Sequence, residues 1–412
     1  MPKSRRPVRS SRTQTQPTRL PHRATLPLLM MVMIINALAY GTIIPLLYPY
    51  AARFGISPLG MSLMFASFSL AQFLATPFLG RLSDRYGRKP VLLICLTGTA
   101  LSLGMFAAAT NVVMLFLARM IDGVTGGNIS VAQAMIADTS DGPERAKRFG
   151  ILGASFGLGF LLGPAIGGIL SGYSLQAPFW FGAGLAACGA VLGVFLLPET
   201  LATSRRQKAS VPLFQLKSMY QALFLPLTGA VLVLSLVSTA AFNGMVIGFQ
   251  AYTVDVLKLN TTQIGIFFSC FGLLSMLVQV VGIGVVQKQV KSKRLILTTS
   301  YFLSAITIGA AYFTTRPETF FAVMMGFAVV GAFRDPMVLA LLSERTKSED
   351  QGGIMGINQS YVAVGQILGP LAAGAVSTFS VQSVFLFAGG LLALATLGTR
   401  WLYVGKHAKL DL

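Results

Sequence analysis

Twelve apolar segments, each long enough to cross a membrane, restrict the folding of this 412-residue chain more than any other feature. A transmembrane helix needs about 20 mainly apolar residues. Charged residues make up only 11% of the chain, whereas about 25% is usual in soluble proteins. The sequence therefore predicts an all-α membrane protein with twelve transmembrane helices, and it argues against a soluble enzyme or a disordered chain. The segments cover residues 26–49, 58–79, 91–109, 112–136, 149–171, 178–197, 223–249, 262–286, 295–314, 319–342, 353–377 and 381–403.

Basic residues are concentrated on one side of the predicted membrane. The formal net charge is +19, and 27 of the 32 Lys and Arg residues lie in the two tails or in loops on the same side as the tails. Cytoplasmic loops of membrane proteins show this bias. We therefore expect a multi-pass protein of the cell (inner) membrane with both termini in the cytoplasm. Orientation and contact with the lipid bilayer account for the charge, so no nucleic-acid partner is expected.

The chain repeats itself in two pseudo-symmetric six-helix halves. A shift of 206 residues places Gly163-Pro164 on Gly369-Pro370 and Phe179 on Phe385. Six helices per half give both halves the same orientation, an arrangement found in secondary transporters. We expect a monomer with a disordered basic tail, a first half, a cytoplasmic linker, a second half and a short cytoplasmic tail. These parts cover residues 1–25, 26–197, 198–222, 223–404 and 405–412.

The loop between the second and third segments carries the most specific motif. It reads GRLSDRYGRKP from Gly80 to Pro90, with one acid, Asp84, among four basic residues. A loop that only set the orientation would explain the bases but not this spacing. The motif resembles the signature loop of the major facilitator superfamily. Residues 115–123 resemble the second motif of that family, and residues 159–168 fit the motif of its proton-linked antiporters.

The resemblance extends to the drug:proton antiporter branch, especially tetracycline efflux pumps, through the loop motif and the stretch at 122–140. It implies a transporter that alternates access between its halves, uses the proton gradient and needs no cofactor. It also implies a cytoplasmic gate, in which the acid of the loop stabilises the outward-open state. In this chain the gate residues would be Gly80, Asp84, Arg85, Gly87, Arg88 and Lys89.

The fifth segment contains a stripe of small residues and a proline. Pro164 removes a helix hydrogen bond and bends the helix. Glycines spaced four apart form a flat stripe that allows close helix contact, although Gly and Pro are also simply common in membrane helices. We predict helix bending or packing, without substrate contact. The residues are Gly159, Gly163, Pro164, Gly167 and Gly168.

Charged residues inside the bilayer are expensive and are therefore candidates for function. Of the thirteen acids, only Asp122 and Asp335 lie within the segments, and each has an arginine nearby, Arg119 and Arg334. Residues 119 and 122 are spaced to pair on one helix face, whereas residues 334 and 335 point about 100° apart. These four residues are the proton-coupling candidates. The alternative for Arg119 and Asp122 is a static ion pair.

The tetracycline pumps carry an acid in the first segment at the place of Asn36, which can hydrogen-bond but cannot titrate. Their coupling residue therefore has no counterpart here, and tetracycline itself is not expected as substrate. Polar residues inside the segments are candidates for the wall of a substrate cavity, and the alternative is interhelical hydrogen bonding. They are Asn36, Tyr40, Gln72, Gln133, Asn243, Gln250, Gln279, Asn358, Gln359 and Gln366.

The leading hypothesis is proton-coupled efflux of small lipophilic compounds. An aliphatic and aromatic cavity with few charges favours a lipophilic solute that is cationic or neutral. The alternatives are an uptake or metabolite carrier of the same fold, and a transporter-like receptor or scaffold that moves nothing. Both histidines, His22 and His407, lie in the tails. The sequence therefore predicts no metal site and no enzyme activity.

Overall fold

The computed structural model describes residues 22–140, 142–201, 216–225, 227–346 and 351–404. Most of the first tail, most of the linker and the tail at 405–412 lie outside these residues. Helical structure begins at His22, inside the stretch predicted as a tail and four residues before the first apolar span, which starts at Leu26. A short helix, Leu216–Leu223, occupies the end of the predicted linker.

The described residues form a bundle of twelve apolar helices, which confirms the predicted fold. Eleven are long and apolar enough to cross a membrane, and the last is a shorter apolar helix of 16 residues. The helices are α1 (Leu26–Phe54), α2 (Pro58–Tyr86), α3 (Arg88–Ala107), α4 (Val112–Thr139), α5 (Ile151–Leu170), α6 (Ala177–Leu196), α7 (Thr228–Val256), α8 (Thr261–Gln289), α9 (Lys293–Phe313), α10 (Pro317–Glu344), α11 (Gly353–Ser377) and α12 (Ser383–Gly398).

Several helices begin at polar residues that satisfy the free backbone N–H groups of a helix start. The Ser57 hydroxyl accepts a hydrogen bond from the first turn of α2, and the Asn111 side chain does the same for α4. Asn260 and Gln263 form a reciprocal capping box at the start of α8. Such caps stabilise a helix by about 1 kcal/mol each, and they fix where these three helices begin.

The same helix pairs pack together in both halves. In the first half, α1 packs on α5 and α6, and α2 packs on α4. In the second half, α7 packs on α11 and α12, and α8 packs on α10. The small residues take part in equivalent contacts, because Gly163 lies against α1 and Gly369 lies against α7. The repeat in the sequence is therefore a repeat in the packing.

Two equivalent pairs of helices are interrupted. The helix α4 breaks at residues 126–127, and α10 breaks at residues 332–333. Near its end α1 contains a 3₁₀ turn, Ile44–Leu46, and α7 ends in a π turn, Tyr252–Val256. Irregular turns within helices often mark functional hinges. In transporters, interrupted helices at matching positions of the two halves point to the region that binds the solute.

The two halves touch at one end of the bundle. We call the end that carries the Gly80–Pro90 loop the basic end and the other the closed end. At the closed end, Gly168 of α5 lies against Gly265 of α8, and Gly374 of α11 lies against Ser62 of α2. A Cβ atom added at Gly374 would lie 2.5 Å from the Ser62 side chain. The contact is therefore too close for a larger residue.

The same helix faces are open at the basic end. Gly157 precedes Gly168 by three helical turns, and Gly356 precedes Gly374 by five, so each pair shares a face. A Cβ atom added at Gly157 or Gly356 would meet no other described residue within 4 Å. The halves therefore enclose a cleft that opens at the basic end and is shut at the closed end.

Candidate coupling site and gates

A buried ion pair lies on α4, just before its break. Arg119 Nη1 donates a hydrogen bond to the Asp122 carboxylate at 2.9 Å. The two residues are only 2% and 3% exposed. Breaking a buried pair by removing one partner costs about 3–5 kcal/mol, because the other charge stays behind. The two charges are therefore expected to change partners or protonation together.

Aromatic rings surround the arginine of this pair. The guanidinium carbon of Arg119 lies 4.1 Å from the centre of the Phe68 ring and 6.0 Å from that of Tyr40. A cation over an aromatic face is stabilised by about 2 kcal/mol when it is desolvated. The side chains of Thr99 and Ser102 on α3 lie within hydrogen-bonding reach of the Asp122 carboxylate. Residues of α1, α2 and α3 therefore fix the pair on α4.

Two donors of Arg119 are unused. Its Nε and Nη2 atoms are buried without an acceptor in the described part of the chain, and Asn36 Oδ1 is buried without a donor. Such unsatisfied groups are rare in proteins and often indicate a functional role or an ordered water. The site therefore has hydrogen-bonding capacity left over for a water molecule or a solute.

The helix α2 packs against the break in α4 and forms a hydrogen bond to it. Gln72 donates to the Gly126 carbonyl at 2.9 Å, which satisfies a backbone group that the break leaves free. A Cβ atom at Gly123 would lie 2.4 Å from the Phe68 carbonyl oxygen, so the two helices touch at backbone distance. Gln72, which we considered for the cavity wall, bridges helices in this state.

The second pair of candidates, on α10, is arranged differently. Arg334 is 5% exposed, donates from Nε to the Gly331 carbonyl at 3.2 Å and lies over the Phe327 ring. Asp335 is exposed and forms no ion pair with another described residue. Sequence reasoning gave both acids a place inside the membrane, but only Asp122 is buried. The structure therefore favours Asp122 as the acid that could couple.

The other polar candidates fall into two groups. Some make hydrogen bonds inside the protein. Asn243 bonds Thr239 of its own helix, Asn358 accepts from Ser235, and Gln250 accepts from the Tyr48 backbone. The others are exposed or half-buried and form no side-chain hydrogen bond with another described residue. Of these, Gln359 lies near Gly356 on the face of α11 that is open at the basic end. This second group is Gln133, Gln279, Gln359 and Gln366.

The motif loop at the basic end is tied to its own half. Arg88 pairs with Asp84 at 2.7 Å and with Asp138 at the end of α4 at 3.0 Å. Gly87 joins α2 to α3 with a φ angle of +110°, which residues with side chains rarely adopt. The Asp84 side chain is half-exposed. With the cleft open, Arg88 is the ion-pair partner of Asp84 among the residues that the structure describes.

Glu199, a residue that sequence reasoning missed, caps α3. Its carboxylate accepts hydrogen bonds from the backbone N–H of Arg88 at 2.9 Å and of Lys89 at 3.2 Å. An anion at a helix start is favoured by the free N–H groups and by the helix dipole. Because 111 residues separate Glu199 from Arg88, no local pattern could have indicated the contact.

Replacing Glu199 with Gln should lower the thermal stability of the protein without preventing its insertion. The amide keeps one acceptor but loses the charge, and charge-assisted hydrogen bonds contribute about 1.5–3 kcal/mol. We expect a fall of a few degrees in the unfolding temperature, measured by scanning fluorimetry in detergent. Glu318→Gln, a change at an exposed acid, is the control. Equal unfolding temperatures for the two variants would contradict the capping role.

Replacing Asp84 with Asn should favour the state with the cleft open at the basic end. Among the described residues, Asp84 forms an ion pair with Arg88 alone, and its side chain is half-exposed, so the described state should survive the change. The family resemblance implies that the acid stabilises the outward-open state. A helix-dipole interaction contributes up to about 1 kcal/mol, so its loss should lower turnover by up to about fivefold. Transport assays on membranes with matched protein levels would measure this, and wild-type turnover would refute it.

The structure has two repeated six-helix halves around a cleft, and a buried ion pair lies beside a helix break. This architecture is that of a multi-pass membrane transporter rather than an enzyme. The family model described as Major Facilitator Superfamily matches residues 29–312 and 232–411. The chain therefore belongs to the major facilitator superfamily.

Known proteins agree with this assignment. The chain is 31% identical to the class C tetracycline resistance protein of Escherichia coli over 320 residues, which is 78% of this chain and 80% of that one. It is 27% identical to multidrug resistance protein 2 of Bacillus subtilis over 360 residues, 85% of this chain and 88% of that one. A solved bacterial homologue of the human lysosomal transporter Spinster, described as inward-facing and unoccupied, shares the fold, with a TM-score of 0.74 at 13% identity. The match covers 95% of this chain and all of that one.

Proposed function

We propose that this protein exports small lipophilic compounds from the cell in exchange for protons, by alternating access. The observation that carries the proposal is the buried Arg119–Asp122 pair, which is the one described ion pair with both side chains deep inside the bundle. A carboxylate in the membrane interior needs a cationic partner or a proton. A site that can switch between these two can link solute movement to proton movement.

The orientation follows from the basic residues. If the basic end faces the cytoplasm, as the positive-inside rule requires, the described state opens to the cytoplasm and is shut to the outside. A solute would then enter the cleft from the cytoplasm or the inner leaflet. The membrane in question is the cell (inner) membrane, and the protein works as a monomer with both termini inside.

The Arg119–Asp122 pair provides a site at which solute and proton can exclude each other. A lipophilic cation that approaches Asp122 competes with Arg119 for the carboxylate, and a proton on Asp122 removes the attraction for both. Solute and proton would thus occupy the site in turn, which is the requirement for antiport. The unused Nε and Nη2 donors of Arg119 let the arginine bind water or an acceptor on the solute while the carboxylate is engaged elsewhere.

The names of the relatives support the solute class. The E. coli and B. subtilis relatives are described as tetracycline and multidrug resistance proteins. Asn36, rather than an acid, stands in α1, and its side-chain oxygen is buried without a donor. We therefore place this chain among exporters of varied lipophilic compounds and do not expect tetracycline to be its preferred solute.

Inverted membrane vesicles with an imposed pH gradient provide the test. Acidifying the vesicle interior should drive uptake of lipophilic cationic or neutral fluorescent probes, and an uncoupler should abolish the uptake. Vesicles without the protein are the control, and tetracycline is included for comparison. Probe uptake that is indifferent to the imposed gradient, or no uptake of any probe by well-folded protein, would contradict proton-driven export.

A further inference from the structure

The seventh helix is longer than its apolar run, and its end carries an acid into the contact between the halves. The apolar run stops at residue 249, but the helix continues through the π turn Tyr252–Val256. Asp255 lies on that turn. The hydroxyl of Tyr48 on α1 donates to the Asp255 carboxylate at 2.5 Å. The bond joins the first half to the second half at the closed end.

Tyr48 makes a second bond to the same helix. The residue stands at the start of the segment Leu47–Ala51, which follows the 3₁₀ turn of α1. The first N–H groups of a helix have no acceptor within it. The Tyr48 N–H instead donates to Gln250 Oε1 at 3.1 Å, and Gln250 is completely buried. One residue of α1 is therefore held by both its backbone and its side chain.

The other hydrogen bonds of the closed end are neutral. The Ser171 and Thr261 hydroxyls lie 2.6 Å apart, and Thr262 donates to the Gly168 carbonyl at 2.8 Å. Hydrogen bonds to an ionised group are roughly twice as strong as neutral ones. Within the described ranges, Asp255 forms no ion pair, and the Tyr48 hydroxyl is the group that donates to its carboxylate across the contact between the halves.

We propose that Tyr48, Gln250 and Asp255 form a latch that holds the closed end shut, and that this latch must release before the protein can open on that side. All three residues bridge the two halves. Because the halves must separate at this end during alternating access, these hydrogen bonds must break. Tyr48 lies just after the 3₁₀ turn Ile44–Leu46, and Asp255 lies on the π turn Tyr252–Val256. Irregular turns of this kind often mark hinges, so both ends of the side-chain bond lie at or beside a place where the helix can bend. The latch requires neither solute nor a proton gradient.

Distances between spin labels across the closed end would test the latch. Tyr173, in the loop after α5, and Phe379, in the loop after α11, are 85% and 88% exposed and belong to different halves. Both would be changed to Cys and labelled in a background in which Cys95, Cys188 and Cys270 are replaced by Ala. Double electron–electron resonance on the full chain in lipid nanodiscs then reports the fraction of molecules with the closed end apart.

Two variants remove the side-chain bond from opposite sides. Asp255→Asn removes the charge, and Tyr48→Phe removes the donor but keeps the ring. Each should raise the ratio of separated to closed molecules by about tenfold, the effect expected for one charge-assisted bond. Gln250→Leu, which removes the side-chain acceptor of the Tyr48 backbone N–H, should act in the same direction and provides a third variant if one of the first two does not fold.

Matched controls are available close by. Tyr50→Phe removes a hydroxyl that donates to the Ala107 carbonyl at 3.2 Å inside the first half. Glu318→Gln neutralises an exposed acid in the first turn of α10. Neither change touches the contact between the halves. Both variants should therefore give the same distance distribution as the parent.

The double variant Asp255→Asn with Tyr48→Phe decides whether the two residues act together. In a latch, the double variant should be no more open than the single ones, because both remove the same bond. Single variants that match the Tyr50→Phe control, or effects that add fully, would overturn the latch. The measurement uses no solute and no gradient, so its outcome is independent of whether the protein exports drugs.

Discussion

Replacing Asp122 with Asn should abolish proton-driven efflux while solute binding and passive exchange persist. If Asp122 carries the proton, the amide fixes the site in a neutral form that can neither take up nor release one. The expected loss is the whole of the pH-driven component. Transport with and without an imposed gradient, and binding to the purified protein, separate the two functions. Asp122→Glu should keep part of the coupling, because the carboxylate moves by only one methylene group.

A static ion pair predicts a different result. Asp122→Asn would then leave Arg119 buried without a counter-ion, which costs about 3–5 kcal/mol, and protein yield and unfolding temperature would fall. The double variant Asp122→Asn with Arg119→Gln should restore stability in that case. Full proton-driven efflux by a stable Asp122→Asn protein would exclude Asp122 as the coupling acid, and Asp335 would be the next acid to examine.

Replacing Gly163 with Ala should destabilise the protein strongly, whereas the same change at Gly157 should not. A Cβ atom at Gly163 would lie 2.6 Å from the Gly41 carbonyl carbon and 2.7 Å from the Thr42 nitrogen. These are backbone atoms of α1 and cannot rotate away. At Gly157, in the open cleft, a Cβ atom meets no other described residue within 4 Å.

The two alanine substitutions should change the free energy of unfolding by different amounts and in opposite directions. Overpacking costs about 1–3 kcal/mol, whereas Ala in place of Gly favours a helix by up to about 1 kcal/mol. Gly163→Ala should therefore lower the unfolding temperature by up to a few degrees, since 1 kcal/mol corresponds to about 2–4 °C in chains of about 150–250 residues and to less in longer ones. Gly157→Ala should leave the unfolding temperature unchanged or raise it. Scanning fluorimetry of both purified variants measures this. A Gly163→Ala protein as stable as the Gly157→Ala protein would contradict the close contact of α1 and α5.

The fold could be predicted from the sequence because the signals that define it are local. A run of about 20 apolar residues indicates a membrane helix wherever the helix later packs, and the repeat of the Gly-Pro pairs indicates two similar halves. The last helix was predicted too long, at residues 381–403, because hydropathy cannot see the turn after Gly398. Hydropathy also ended the seventh segment at residue 249, before the polar π turn that carries Asp255.

The candidate site was only partly accessible to sequence reasoning. The spacing of Arg119 and Asp122 indicated a pair on one helix face, and the place of Asp335 near the cytoplasmic end of its segment made it the weaker candidate, but the sequence could not show that Asp122 is buried and Asp335 exposed. That difference arises from the neighbouring helices, which place Phe68 and Ser102 around the first pair. Contacts such as Glu199 with Arg88, or Tyr48 with Asp255, join residues more than 100 positions apart and depend on the packed bundle.

Simultaneous measurement of solute and proton flux in proteoliposomes tests the central claim most directly. Purified protein would be reconstituted with a lipophilic probe that the vesicle assay identifies and with a pH-sensitive dye, at equal pH on both sides. We predict that a probe gradient alone drives protons in the opposite direction in the wild-type protein, and that Asp122→Asn abolishes this proton movement while probe exchange continues. Probe flux through the wild-type protein without any proton movement would contradict the account.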